Sequence, residues 1–210
     1  MKKSKTKPAF IIVVATFITI LTSCGNITTN KSAEVKNVTW NVAAYTVIPF
    51  DSISVEFADT EAYGDVLPLR YSYTQEESEK VNELLTLNDS LLNANGYTYQ
   101  WVRYGEPELM DLVIVPDTPL LEQEVEVTKV NRLHSYDDNL QIAFRFNDKK
   151  QWEHITTANI GKRIAISVNG KILNAPQVNA PITQGACSVT IPAEEVPDML
   201  PDIDLSILDK

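Results

Sequence analysis

The clearest hydrophobic pattern in the chain lies at residues 140–146, where large apolar residues occupy every second position. The segment is Leu-Gln-Ile-Ala-Phe-Arg-Phe, and a period of two is typical of a strand with one buried face. Shorter apolar runs bounded by turn residues indicate further strands. These strands are predicted at 45–48, 53–57, 67–73, 97–104, 109–115, 125–130, 163–168, 171–174 and 188–191.

A helical period begins after Thr74. Thr74 and Glu77 have the spacing of a capping box, in which the threonine oxygen accepts a backbone N–H and the glutamate reaches back to the cap. Apolar residues then recur near helical spacing as far as Leu92. The pair Asn95-Gly96 favours the end of this helix, because a left-handed backbone is accessible there.

A second helix is predicted after Asn147, a residue that can cap a helix. On this helix Trp152, Ile155 and Ala158 form the buried stripe, and Gly161 ends it. Strands joined mostly by turns, together with two helices, indicate an α+β fold. We expect antiparallel sheets, each with a helix packed on one face.

Turn residues divide the strands of the second half. Asn169-Gly170 is a strong two-residue hairpin turn. Pro176 interrupts a strand ladder, because proline has no N–H to donate. We divide the folded part into two small subdomains, at 39–116 and 117–210.

The first 24 residues have a different pattern. Four of the first seven residues are lysines, and a 13-residue apolar run at 9–21 follows. A helix needs roughly 20 residues to span a bilayer, so the run fits the apolar region of a secretory signal better than a permanent anchor. The run ends in Leu21-Thr22-Ser23-Cys24, which resembles the lipobox of bacterial lipoproteins.

This resemblance implies a signal peptide at 1–23, cleavage between Ser23 and Cys24, and diacylglycerol with a further acyl chain such as palmitate on Cys24. Several acyl chains hold a protein to a membrane where one would not. The alternative is an uncleaved signal anchor with a buried cysteine. Gly25 favours the outer membrane over the inner one in the enterobacterial sorting scheme. Residues 24–38 are predicted to form a flexible tether, in which the polar stretch at 26–38 reaches roughly 40–45 Å when fully extended.

Charge limits the partners. The 210 residues include 18 basic and 28 acidic ones, for a net charge of -10, and removal of the signal peptide would leave 14 basic residues against 28 acidic ones. Nucleic-acid binding needs clustered lysine and arginine, so we expect no nucleic-acid partner. With two cysteines and two histidines, we expect neither a disulfide framework nor a metal or other cofactor.

Enzymatic chemistry has few candidate residues. A thiol nucleophile could be Cys187, partnered by His134 or His154, and the pair Asp137-Asp138 could hold a hard cation. No neighbouring motif lowers the pKa of the thiol, so we favour a packing role for Cys187. For the aspartates we favour a solvated turn. We therefore expect the protein not to be an enzyme.

A row of aromatic residues allows two interpretations. Tyr97, Tyr99 and Trp101 alternate along a predicted strand and share one face. They could form a platform for a glycan, or they could pack against the preceding helix. We favour packing and keep glycan binding as an alternative.

The strongest family resemblance comes from the order of motifs over residues 140–191. After Phe144-Arg145-Phe146 and a capped helix come Asn159-Ile160-Gly161-Lys162-Arg163, Asn169-Gly170-Lys171, Asn174-Ala175-Pro176 and Pro181-Ile182-Thr183-Gln184-Gly185. This order resembles the head subdomain of the first periplasmic domain of the SecD/SecDF protein-export proteins. Residues 67–116 are loosely similar to the base subdomain of the same domain. We interpret the shared residues as determinants of the fold: Gly161, Lys162, Asn169, Gly170, Ala175, Pro176, Pro181 and Gly185.

Three positions depart from the family pattern: Asn169 replaces an aspartate, Asn174 a serine and Gln184 a glycine. The resemblance implies a module of the cell envelope that contacts protein, because the SecD head is implicated in holding emerging polypeptide. We therefore expect a lipid-anchored, non-catalytic binding protein with a protein or polypeptide partner. The alternatives are a glycan-binding module and an envelope enzyme.

Overall fold

The computed structural model describes residues 32–35, 38–53, 71–103, 109–132 and 139–199. Several predicted features lie outside these ranges, so they remain predictions. They are the signal peptide 1–23, the cleavage site at Ser23 and Cys24, the tether up to residue 31, most of the strand at 53–57, His134 and the pair Asp137-Asp138.

Ten strands and four α-helices are present in the described residues. The strands are β1 (Ser32–Glu34), β2 (Thr39–Thr46), β3 (Ser72–Thr74), β4 (Tyr97–Val102), β5 (Leu109–Pro116), β6 (Leu121–Arg132), β7 (Asn139–Arg145), β8 (Ile164–Val168), β9 (Lys171–Asn174) and β10 (Ala186–Pro192). The helices are α1 (Gln75–Leu87), α2 (Asp89–Ala94), α3 (Lys149–Ala158) and α4 (Val196–Met199). None of these helices is long and apolar enough to span a membrane.

The strands form two antiparallel sheets. The larger has the order β10-β7-β6-β2-β8-β9, with β1 paired to β6 beside this path, and the smaller has the order β3-β5-β4. Helix α3 contributes Trp152 and Ile155 to the core of the larger sheet, and α1 contributes Val81 and Leu85 to that of the smaller one. The predicted α+β class with antiparallel sheets is confirmed.

Strand β2 lies in a different sheet from the one that its position in the sequence suggested. The division at 116/117 placed it in the first subdomain, whereas it pairs with β6 and β8 in the middle of the larger sheet. Its apolar residues Trp40, Val42 and Ala44 are fully buried there. Pairing between strands distant in sequence leaves no local signal, so composition alone could not place this strand.

Strand β1 shortens the predicted tether. Ser32–Glu34 pairs with Lys129–Asn131 of β6, although the sequence predicted a flexible tether up to residue 38. The segment lacks the apolar period from which a strand would be predicted. The part of the chain that the structure describes therefore has a strand at Ser32–Glu34, within the segment predicted as a tether.

The helices differ from the prediction in detail. The capping box of Thr74 and Glu77 is confirmed, but the helix divides at Asn88, whose side-chain amide donates to the Leu84 carbonyl at 2.8 Å. Asp148, not Asn147, caps α3, because its carboxylate accepts the Gln151 N–H.

The buried stripe of α3 also differs from the prediction. Trp152 and Ile155 are buried as expected, but Ala158 is exposed. Thr156 and Asn159 are buried in its place, and each bonds a backbone carbonyl one turn earlier. These bonds satisfy the polar groups in the core.

The two sheets pack against each other through β5. Its Leu112 and Ile114 face the core under α1, whereas Val113 and Val115 pack with Ala165 and other residues of the larger sheet. Gln100 of β4 joins the sheets further, because its amide accepts the Ile172 N–H at 2.8 Å and donates to the Gly170 carbonyl at 3.1 Å. Such a side-chain amide covers part of the outer edge of β9.

Candidate functional site

An open groove lies between β10 and the segment that follows β9. We call it the head groove and define it by the residues that line it, with a volume of about 500 Å³. The wall on one side belongs to β7 and β10, and on the other to residues 176–179 and β8; Trp152 and Thr156 of α3 form the floor. The lining residues are Gln141, Ala143, Trp152, Thr156, Ile164, Ile166, Pro176, Gln177, Val178, Asn179, Ile182, Ala186, Cys187 and Ser188.

The head groove is uncharged. Among the described residues that line it, none is acidic, basic or a histidine, although more than a fifth of the chain consists of charged residues. The lining combines apolar side chains with amides and hydroxyls, which both donate and accept hydrogen bonds. This composition suits a ligand that is apolar in part and rich in neutral hydrogen-bonding groups.

Cys187 lies in the wall of the head groove as a packing residue. It is opposite Phe144 in the ladder between β10 and β7 and contacts the main core. Burial raises the pKa of its thiol to about 12, which keeps the sulfur protonated and a poor nucleophile. Its proposed partner His154 is exposed on α3. These observations favour the packing interpretation over the thiol nucleophile.

The raised pKa predicts slow alkylation of Cys187. With Cys24 replaced by serine, Cys187 is the only thiol. At pH 8 the folded protein should react with iodoacetamide roughly 100-fold or more slowly than the urea-unfolded chain, because the thiolate is the reactive form. Mass spectrometry of timed samples measures both rates. Equal rates would show that the thiol is activated or freely accessible.

Several of the family-motif residues occupy turns. Asn169 and Gly170 have φ values of 50° and 86°, as a two-residue hairpin turn requires. Gly185 has a φ of 69°, and a Cβ at this position would lie 2.5 Å from the Phe146 carbonyl oxygen. Lys162 and Pro181 are exposed, and the Pro176 carbonyl accepts the Ile164 N–H.

Arg163 forms a junction that the sequence analysis did not single out. Its Nε donates to the Ala175 carbonyl at 2.6 Å, and its Nη2 donates to Asp111 Oδ2, also at 2.6 Å. The guanidinium lies 4.8 Å from the centre of the Tyr71 ring. The other carboxylate oxygen of Asp111 accepts from the Ser72 hydroxyl. The sequence signal was an aspartate within the apolar run of β5.

The aromatic row packs on the smaller sheet. Tyr97, Tyr99 and Trp101 are half-buried against its core. The Trp101 ring lies 5.6 Å from that of Tyr73 in an edge-to-face arrangement, and its indole N–H donates to Asn82 on α1 at 3.0 Å. The contact of Trp101 with α1 supports the favoured packing interpretation.

Comparison with known proteins gives a family match over the second half of the chain. Residues 109–195 match the family model described as the P1 head subdomain of SecDF. The protein translocase subunit SecD of Acidaminococcus fermentans is 31% identical over 74 residues, which are 35% of this chain and 18% of that protein. The SecD subunit of Rickettsia conorii is 43% identical over 60 residues, which are 27% of this chain and 12% of that protein. The chain thus spans less than a fifth of either relative.

Two solved structures are also similar to this chain. The membrane component SecDF that enhances protein export aligns over 71% of this chain and 54% of its own, with 18% identity and a TM-score of 0.32. SecDF in its super-membrane-facing form aligns over 71% of this chain and 26% of its own, with 13% identity and a TM-score of 0.28.

The family match is wider than the motifs at 140–191 suggested. It includes β5, β6 and α3 together with the hairpin of β8 and β9, and therefore all of the described walls of the head groove. The resemblance to the SecDF head is confirmed at the level of this domain. Residues 109–195 form a domain similar to the P1 head subdomain of SecDF.

Proposed function

We propose that this protein is a non-catalytic module of the cell envelope that binds exported polypeptide in the head groove. The observation that carries the proposal is the uncharged groove of about 500 Å³ within a SecDF head-like domain. An unfolded polypeptide presents the two features that such a lining binds, namely apolar side chains and neutral peptide groups. Charged ligands find no ionic partner among the described lining residues.

The size of the groove indicates transient binding. Burying three apolar side chains of a partner contributes about 4–9 kcal/mol in all. Association costs at least about 4 kcal/mol in lost freedom, and ordering the partner costs more. At most about 5 kcal/mol remains, which corresponds to a dissociation constant of roughly 0.2 mM or weaker. Weak binding suits a module that holds a polypeptide briefly and then releases it.

The larger cleft between the two sheets is a weaker candidate for this role. It has a volume of about 890 Å³, and its described lining includes Lys162 and Arg163. The guanidinium of Arg163 is already bonded to Asp111 and to the Ala175 carbonyl. We therefore assign this region to holding the two sheets together.

The proposal includes a lipid anchor on Cys24, facing the periplasm and favouring the outer membrane. Seven residues, 25–31, lie between Cys24 and Ser32, the first residue of β1. At about 3.3–3.6 Å per residue, the eight steps from Cys24 to Ser32 span at most roughly 29 Å. This limit is shorter than the reach expected for the full tether, so the head groove would remain close to the membrane surface.

The anchor predicts that Cys24→Ala removes the protein from the membrane. The substitution deletes the sulfur that takes the lipid, so incorporation of an alkyne-tagged palmitate should fall to background and the protein should leave the membrane fraction. The matched control is Cys187→Ala, which should keep full labelling because its thiol lies in the folded domain. Unchanged labelling of the Cys24→Ala variant would contradict the anchor.

Photo-crosslinking tests polypeptide binding in the native envelope. We would place p-benzoylphenylalanine at Ala186, which is exposed in the wall of the head groove, and in the control at Asn93, which is exposed on α2. We expect ultraviolet light to join pulse-labelled exported polypeptides to position 186 and not to position 93. Equal yields at both positions, or no polypeptide adducts at position 186, would contradict the proposal.

A further inference from the structure

We propose that a single polypeptide occupies two neighbouring concavities, with an uncharged segment in the head groove and an acidic residue in the larger cleft between the two sheets. This inference rests on the proposed function and narrows its ligand to an apolar segment with a carboxylate on its flank. The lining of the head groove is neutral. The larger cleft supplies the charge preference that the head groove lacks.

The two concavities share one wall. Pro176, Gln177 and Asn179 line both the head groove and the larger cleft. The wall is a single segment of chain, and neighbouring backbone segments in sheets lie about 5 Å apart. An extended polypeptide advances about 3.3–3.6 Å per residue, so roughly three residues cross such a wall. One short polypeptide is therefore long enough to reach both concavities.

Hydrogen bonds join this wall to the residues that carry the cations of the larger cleft. The Val178 N–H donates to the Lys162 carbonyl, and the Gly161 N–H donates to the Val178 carbonyl, each at 2.8 Å. The side-chain amide of Gln177 donates to the Gly161 carbonyl at 2.9 Å. The wall therefore fixes where the backbone of Lys162 lies relative to the head groove.

The larger cleft has an excess of positive charge. Its described lining includes Lys162 and Arg163 but no aspartate or glutamate, although the chain has a net charge of -10. The Lys162 side chain is exposed, and none of the ion pairs between described residues uses its ammonium. Asp111 balances Arg163, so the charge of Lys162 is available to a ligand.

Arg163 keeps donors for a ligand while it holds the two sheets together. A guanidinium has five N–H groups, and the bonds to Ala175 and Asp111 use one on Nε and one on Nη2. The side chain is 19% exposed and lines the cleft. A carboxylate of the ligand can accept from the remaining N–H groups and pair with the Lys162 ammonium.

The local charge of the cleft acts against the net charge of the whole chain. The net charge of -10 disfavours acidic ligands, but at 0.15 M salt exposed charges separated by more than about 8 Å are largely screened. A carboxylate in the cleft contacts the lining cations directly, so the local attraction outweighs the more distant repulsion. A preference for acidic over basic ligands is therefore opposite to what net charge alone predicts.

The test uses the full-length protein in detergent micelles and three acetylated, amidated peptides. Each contains six alternating valine and serine residues, flanked at both ends by Gly-Ser-Gly and a pair of aspartates, asparagines or lysines. The spacer matches the shared wall, and the two flanks make the result independent of the direction of binding. An exposed ion pair contributes at most about fivefold in affinity. We therefore expect the aspartate peptide to bind roughly two- to fivefold more tightly than the asparagine peptide, and the lysine peptide to bind most weakly.

Nuclear magnetic resonance titration of the nitrogen-15-labelled protein measures the three affinities and locates each peptide. The amide signal of Ala186 reports on the head groove and that of Lys162 on the larger cleft, because each residue lines only one of the two. We expect the aspartate peptide to shift both signals. In Lys162→Gln the affinity ratio of the aspartate and asparagine peptides should fall below about 1.5. The control Lys150→Gln changes an exposed lysine on α3 outside both linings, so it should keep the original ratio.

The outcomes separate this inference from the proposed function. Equal affinities of the aspartate and asparagine peptides, or tightest binding of the lysine peptide, would overturn the acidic preference while leaving groove binding intact. A shift at Lys162 without one at Ala186 for the aspartate peptide would overturn the joint occupancy of the two concavities. Failure of all three peptides to shift the Ala186 signal would overturn the proposed function as well.

Discussion

Replacing Arg163 with methionine is expected to lower the free energy of unfolding by about 3–5 kcal/mol, because it leaves a buried carboxylate without its cation. The Asp111 side chain is only 7% exposed, and its Oδ2 lies 2.6 Å from the arginine. The same substitution removes the bond to the Ala175 carbonyl. Methionine keeps much of the apolar stem, so lost packing contributes little to the expected effect.

Urea unfolding followed by tryptophan fluorescence measures this loss. The control is Lys171→Met, which removes a pair with Glu195 whose side chains are 60% and 39% exposed. Exposed pairs contribute at most about 1 kcal/mol, so this control should change stability little. Adding Asp111→Asn to the Arg163→Met variant should restore part of the loss, because it removes the uncompensated charge. A loss for Arg163→Met no larger than that of the control would contradict the assigned junction.

Gly185→Ala is expected to cost about 2–4 kcal/mol, combining a left-handed backbone with an overpacked contact. The φ of 69° disfavours any residue with a Cβ, and the added carbon would lie 2.5 Å from the Phe146 carbonyl oxygen. That oxygen belongs to the backbone at the end of β7, so it cannot move without disturbing the strand. The start of β10, where the head groove begins, would shift with it.

The matched control for this substitution is Gly161→Ala. Gly161 has a φ of 82°, but nothing lies within 4 Å of the position that its Cβ would take. It should therefore show only the backbone cost, about 1–2 kcal/mol. The same urea titration compares the two variants. Equal losses would show that the close approach to Phe146 has no energetic effect.

Local sequence features predicted the elements whose determinants are local. The alternation at 140–146 became β7, the box of Thr74 and Glu77 became the start of α1, and Asn169-Gly170 became the hairpin between β8 and β9. In each case the residues that predicted the element also form its hydrogen bonds or adopt the backbone angles that it requires. The order of motifs at 140–191 carried the resemblance to the SecDF head, because these motifs supply turn residues of that domain.

The sequence could not place features that depend on distant partners. Arg163 and Asp111 are 52 positions apart, so the sequence around either residue does not predict the ion pair between them. Strand β2 joins the larger sheet through partners in β6 and β8. The head groove lies between β10 and residues 176–179, whose distance from each other depends on the curvature of the whole sheet. The sequence therefore did not predict that the residues lining this groove are uncharged.

The most direct measurement of the central claim is the affinity of the full-length protein for an unfolded polypeptide, measured by isothermal titration calorimetry. The measurement compares two variants. Ile182→Asp places a charge in the head groove, whereas Ile160→Asp places a charge outside the groove, at a residue that is 50% exposed. The account predicts saturable binding that weakens at least roughly tenfold in Ile182→Asp, since charge burial is costly, and stays unchanged in Ile160→Asp. Equal affinities of the two variants would contradict the assignment of the head groove as the polypeptide site.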